Sequence, residues 1–247
     1  MPDQLVLRIP IPADVGLTHV IGQDRLDVVV PALKNWMMHQ GARIIYIYGA
    51  AGSGKTFLLH SVAAELMSMV AQDQWMFLAL GQPGLAPDLL DNLEMPWLIL
   101  DDLHKVFGSR HWEEQLFHRF QANTGQFWLV SASELPHALC SLPDLRSRLM
   151  SGLVFAVDHL SDADLSDFLG KMAQARGMTL ESAHKDYILQ RVARTPQMMM
   201  QVVEALDEET LRRQVLLNWS ALRQVLERIK NEEDSSINKI QQNPDQQ

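Results

Sequence analysis

One cysteine, Cys140, stands in a chain of 247 residues. No disulfide framework can form within it, and the chain suits a reducing compartment. Without a basic neighbour in sequence, Cys140 reads as a small buried hydrophobe rather than a nucleophile. No apolar run approaches the ~18 residues of a membrane-spanning helix, so no membrane association is expected. The opening Met-Pro-Asp-Gln-Leu has neither a basic n-region nor an apolar h-region, so no signal peptide is expected and the cytoplasm is the expected location. Basic residues are outnumbered, 21 Lys and Arg against 30 Asp and Glu, for a formal net charge of −9. That balance argues against duplex DNA binding through bulk electrostatics, which needs a basic face. What the chain does have is core: 47% of its residues are apolar, enough for one large domain or two unequal ones.

Residues 49–56 read Gly49-Ala50-Ala51-Gly52-Ser53-Gly54-Lys55-Thr56, the pattern G-x-x-x-x-G-K-[ST] with every position filled. An apolar run, Ile44-Ile45-Tyr46-Ile47-Tyr48, precedes it, and a helical pattern beginning Phe57-Leu58-Leu59 follows. Strand, glycine loop and helix in that order are the context a phosphate-binding loop requires. The glycines Gly49, Gly52 and Gly54 let the backbone curl so that several N–H groups, those of Ala51 and Ser53 among them, converge on one anion. The helix N-terminus around Phe57 adds partial positive charge. Lys55 is suited to the β- and γ-phosphates and the Thr56 hydroxyl to Mg²⁺.

Strands and helices alternate as far as about residue 158. The expected strands are 43–48, 75–80, 97–100, 127–131 and 153–157. The expected helices are 24–40, 56–70, 87–93, 111–124 and 145–150. Several strands are almost wholly apolar, as in a parallel α/β sheet covered on both faces. Beyond Asp158 only helical patterns occur. Ser161 begins an N-capping sequence, Ser182 is a second candidate cap, Thr195-Pro196 reads as cap and first helical residue of a third helix, and a fourth spans about 220–230. Met198-Met199-Met200 reads as flexible core filling. The expected plan is an α/β domain over 10–158, a small all-helical domain over 159–230, and a disordered tail over 231–247, where large apolar groups are nearly lacking.

Trp97-Leu98-Ile99-Leu100-Asp101-Asp102 is an apolar strand ending in two carboxylates. Beside the glycine loop, Asp101 would hold Mg²⁺, directly or through water, and Asp102 would orient or deprotonate an attacking water. At the tip of the next strand, Ser133 is the first candidate to touch the γ-phosphate or the water, with Ser131 second. Arg146 and Arg148 lie on a short helix before the last strand.

Together these segments resemble the DnaA branch of the AAA+ ATPases: a P-loop parallel sheet followed by a helical lid. Val20-Ile21-Gly22-Gln23-Asp24-Arg25-Leu26 is similar to the segment leading into the adenine pocket there, and Val20 and Ile21 are the implied nucleotide contacts. Asp144-Leu145-Arg146-Ser147-Arg148-Leu149 is similar to the arginine-finger box, which implies that role for Arg148. The resemblance covers roughly residues 10–230. The chain stops after the lid, without the DNA-binding domain expected of an initiator, and that plan resembles the Hda-like regulators. These act on DnaA together with the replication sliding clamp (DNA polymerase III beta subunit) and work with ADP. Gln4-Leu5-Val6-Leu7 at residues 1–9 is similar to a Q-L-x-L clamp peptide, with Gln4, Leu5 and Leu7 as its contacts. The family usually offers a second-sensor arginine where this chain has Gln197. The resemblance therefore implies bound ADP or ATP with Mg²⁺, at most weak ATPase activity alone, and action in trans on DnaA. Homo-oligomerisation stays open. An alternative is a helicase loader of the DnaC or IstB type acting on single-stranded DNA. A shortened DnaA that still binds origin DNA ranks last, since no helix-turn-helix with a basic recognition helix is present.

Overall fold

The computed structural model describes residues 15–22, 24–122, 125–213 and 217–241. The expected clamp peptide, with Gln4, Leu5 and Leu7, lies outside the described residues. The chain divides into two compact units, Met1–His159 and Leu160–Gln247.

The first unit is built on five strands, all parallel: β1 (Ile44–Tyr48), β2 (Trp75–Ala79), β3 (Trp97–Asp101), β4 (Phe127–Ala132) and β5 (Leu153–Ala156), in the spatial order β2-β3-β4-β1-β5. Each matches its expected strand to within about a residue. Alternation along each strand sends side chains to opposite faces, and both faces are covered, which is why the strands read as continuous apolar runs. Ile45, Ile47, Ile99 and Leu129 pack on one face beneath helices α1 (Val30–Met37) and α2 (Lys55–Met69). Tyr46, Leu98, Leu100, Trp128 and Val130 pack on the other, beneath α3 (Arg110–Ala122), α4 (Pro136–Leu139) and α5 (Pro143–Leu149). Leu33, Leu58 and Leu66 are fully buried, each stabilising the fold by about 1.5–3 kcal/mol. Cys140 is buried in the second core, and burial pushes its thiol up to about 11, in keeping with an inert packing role.

The helix expected over 24–40 forms in two pieces, a wide π-type turn at Arg25–Val29 and then α1. Pro31 explains the break, since it has no N–H to donate back to the preceding turn. At the far edge, β5 is drawn close to β1: a Cβ placed on Gly152 would stand 2.1 Å from the Ile44 carbonyl oxygen, so only glycine fits.

The second unit is all-helical: α6 (Asp162–Ala175), α7 (Ser182–Leu189), α8 (Pro196–Arg213) and α9 (Trp219–Gln241). Ser161 caps α6 in a reciprocal box: its hydroxyl accepts from the Asp164 N–H at 3.1 Å, and the Asp164 carboxylate accepts from the Ser161 N–H at 3.1 Å. Thr195 caps α8, its hydroxyl accepting from the Met198 N–H at 3.2 Å. The cap of α7 is Glu181 rather than Ser182, and its N–H donates to His184 Nδ1 at 3.3 Å. Met198, Met199 and Met200 are all buried. Helix α9 runs on to Gln241, past the residue 230 expected from composition. No Gly or Pro interrupts 231–241, and extending a helix already nucleated costs far less than starting one.

Replacing Ser161 by Ala removes the α6 cap. The expected loss is about 1 kcal/mol of stability, read as a lower midpoint for the helical unit in urea titration followed by circular dichroism. An unchanged midpoint would count against the box as a stabilising element.

Candidate functional site

Parallel sheets gather ligands at the carboxyl ends of their strands, where the chain order reverses. Here those ends belong to β1, β3 and β4. The glycine loop leaves β1 at Tyr48 and turns into α2 at Lys55. Gly52 (φ 78°) and Gly54 (φ 91°) take left-handed conformations that a side chain disfavours. Gly49 is required for a different reason: a Cβ there would meet the Val157 carbonyl oxygen at 2.1 Å. Lys55 is buried in the turn, its Nζ donating to the carbonyl oxygens of Gly49 at 2.7 Å and Ala50 at 2.8 Å. Burial lowers its pKa, while Asp102 and Asp101 pull it back up. Ser53 is fully buried, Phe57 half-buried, and Val20 and Ile21 are buried.

The acid pair stands on the neighbouring tip. Asp101, 4% exposed, accepts from the Thr56 hydroxyl at 2.8 Å through one carboxylate oxygen and from the Ser131 hydroxyl through the other. Thr56 and Asp101, the two expected Mg²⁺ ligands, thus lie side by side. Among the described residues no group of three or more His, Cys, Asp or Glu side chains could hold a metal ion, so a cation here would need oxygens from elsewhere, such as phosphates. Burial raises the Asp101 carboxyl above its ordinary value. The negative charge of Asp102 adds to this, and the Ser131 and Thr56 hydroxyls and His60 oppose it. Asp102 adopts a left-handed backbone (φ 59°), its N–H donating to Ser131 Oγ at 2.9 Å, and its side chain stays part-exposed with His104 Nδ1 3.9 Å away.

Ser131, the second candidate, is therefore the serine that β4 delivers to the acids. Asp101 follows the paired residues Leu100 and Val130, so register sets it beside Ser131. Ser133 lies past the last residue of β4, half-buried, and takes no part in that network. Arg25 falls within the segment that resembles the approach to the adenine pocket, but the sequence gives it no role of its own. Its buried guanidinium donates to the Ser53 carbonyl oxygen at 2.6 Å and to the Asp158 carbonyl oxygen, tying the glycine loop to the segment beyond β5. An arginine in a first helical turn is ordinarily solvated, so nothing local marks it.

Arg148 is exposed on α5, while Leu145 and Leu149 of that helix are buried. Gln197 is exposed in the first turn of α8, in the helical unit. Arg194 pairs with Asp162 at 3.3 Å.

A P-loop on β1, an acid pair on β3, a serine on the strand between them and a following helical unit define an AAA+ protein. The model of the Hda lid domain matches residues 162–226. An uncharacterized protein of Haemophilus influenzae is 30% identical over 232 residues, spanning 92% of this chain and 99% of that protein. Domain III of the Thermotoga maritima replication initiation protein DnaA superposes with a TM-score of 0.71 at 17% identity, over 89% of this chain and 98% of that one. DnaA from Aquifex aeolicus, bound to AMPPCP, superposes with a TM-score of 0.64 at 16% identity, over 83% and 70% of the two chains. The chain belongs to the DnaA-related, Hda-like family of AAA+ proteins.

The raised Asp101 pKa has a defined sign. Its charged form is disfavoured in the folded state, so the penalty is absent at low pH, grows as pH rises from the ordinary carboxylate range, and is complete only above the raised value. Asp101→Asn keeps both hydroxyl contacts, since the hydroxyl that faces the new amide NH₂ can accept while the other goes on donating to the amide oxygen. The expected result is a Tm higher by about 2–4 °C at neutral pH and nearly unchanged at about pH 3, read by calorimetry.

Proposed function

We propose that this protein is a nucleotide-dependent regulator of replication initiation that promotes ATP hydrolysis on a DnaA partner by supplying Arg148 in trans. The observation that carries this reading is the separation of Arg148 from its own acids: it projects from α5 to solvent while Asp101, Asp102, Thr56 and Ser131 form a closed network elsewhere. A guanidinium so placed is free to meet a neighbouring subunit's ligand, and its planar fork suits phosphate oxygens.

The chain's own site fits an adenine nucleotide. The Gly49–Gly54 turn has the backbone curl and the close approach that a diphosphate needs, and a buried lysine lies inside it. Lys55 and the loop N–H groups would hold the phosphates, Val20 and Ile21 would flank the adenine, and Thr56 with Asp101 would hold Mg²⁺. Bound nucleotide supplies charge and shape that stabilise the folded unit. With Gln197 in place of a second-sensor arginine, turnover by this chain alone is weak, and ADP is the working ligand. Gln4, Leu5 and Leu7 dock on the sliding clamp and raise the effective concentration of Arg148 near DnaA on DNA. The setting is the cytoplasm. Among the described residues no helix is long and apolar enough to cross a membrane.

The assembled Thr56–Asp101–Ser131 network also favours a second reading, an ATP-driven loader. Gel filtration separates the two: an ATP-specific ring or spiral supports the loader.

Arg148→Ala is expected to keep ADP binding in calorimetry and to lose stimulation of the DnaA ATPase by at least about a hundred-fold, since an arginine supplied in trans accounts for about 10³–10⁵ in rate in comparable phosphoryl transfers. Undiminished stimulation would reject the assignment. Gln4→Ala with Leu5→Ala should abolish retention on immobilised sliding clamp, and equal retention would remove the clamp from the scheme.

A further inference from the structure

Glu113 is a buried carboxylate outside the nucleotide site, only 1% exposed, in the first turn of α3. A buried carboxylate is costly unless its charge is met, and here neutral donors meet it rather than a basic side chain. One oxygen accepts from the Gly108 N–H and the Ser141 N–H, both at 3.0 Å. The other accepts from the Ser141 hydroxyl at 2.6 Å and the Leu142 N–H at 2.7 Å. Burial alone would raise its pKa, but these donors outweigh burial and hold the carboxyl below its ordinary value. The group therefore stays ionised across the physiological range.

The partners come from two places that matter. Gly108 (φ 87°) closes the turn that follows Asp101 and Asp102. Ser141 and Leu142 lead directly into α5, and Leu142 is its N-cap residue, whose carbonyl accepts from the Arg146 N–H at 3.1 Å. Leu145 and Leu149, buried in the second core, fix the rotation of α5 about its axis and leave Arg148 outward. They do not fix where the helix begins. The carboxylate of Glu113 does that, by pinning the residues ahead of the helix to the turn beyond the acids.

We propose that Glu113 is the positioning residue for the trans-acting arginine: it clamps the root of α5 to the turn after Asp102, so that Arg148 is presented in one place to the neighbouring ATPase's nucleotide. This rests on the role of Arg148 proposed above. Glu113 touches no substrate itself. Charge-assisted hydrogen bonds of this kind are stronger and more directional than neutral ones, and an error of about 1 Å in placing a reacting group can cost about a hundred-fold in rate.

The test uses the full-length protein and the DnaA ATPase. In Glu113→Gln an amide NH₂ replaces one acceptor, and in either orientation it faces at least one backbone N–H, donor against donor. Ser141→Ala removes the hydroxyl contact and keeps the backbone donors, so it serves as the milder variant should Glu113→Gln fold poorly. The expected result for Glu113→Gln is a maximal stimulated rate lower by about 10- to 100-fold, with the half-saturating concentration and the ADP affinity within about two-fold of the native values. Ser141→Ala should lie between. General loosening would instead weaken docking and ADP binding along with the rate. A maximal rate unchanged in both variants, or a loss shared equally by rate, docking and ADP affinity, overturns the inference. Arg148→Ala is run in parallel. If it leaves stimulation intact, the functional reading fails. If it abolishes stimulation while both other variants retain it, only the positioning role fails.

Discussion

The carboxylate of Asp101 organises this molecule. It is buried at the end of a parallel strand and is held by two hydroxyls, Thr56 from the helix after the glycine loop and Ser131 from the strand between. Three segments remote in sequence therefore meet at one charge. Burial makes that charge unfavourable, and the hydroxyls offset the cost only in part. Such an arrangement holds a carboxylate ready for a cation, because a divalent ion would relieve the penalty that the fold maintains.

Around that centre the two faces of the first unit differ in task. The face under α1 and α2 supports the glycine loop, with Arg25 fastening the Ser53 carbonyl to the segment beyond β5. The opposite face, under α3 and α5, carries Arg148 outward and holds Glu113 within. Both rely on a buried charged side chain hydrogen-bonded to backbone groups, an interaction that fixes where segments lie more than it adds net stability. One such device braces the glycine loop, the other the start of the helix that carries Arg148.

The helical unit follows local rules more closely. Reciprocal capping at Ser161 and Asp164 and a Thr195-Pro196 start set two of its helices, and Met198, Met199 and Met200 fill its core. Local energetics also explain the longer α9. Composition suggested a tail from Asn231, yet a polar stretch without breakers continues a helix that its apolar first turns have already begun.

The sequence by itself determined what depends on neighbours along the chain. Strand runs, the glycine loop, the caps at Ser161 and Thr195 and the acid pair were legible, because periodicity, glycine conformations and cap chemistry act over a few residues. The sequence marked both serines at the tip of β4 and ranked Ser133 ahead of Ser131. The choice fell to Ser131 only because β3 and β4 pair in a register that sets Asp101 beside it, and because β4 ends before residue 133. The roles of Arg25 and Glu113 were hidden for the same reason: charged residues in first helical turns are ordinarily solvated, and only tertiary packing brought backbone carbonyls to one and backbone N–H groups to the other. Pairing register and the desolvation of charge are properties of the assembled sheet and its helices, so only the tertiary structure could decide them.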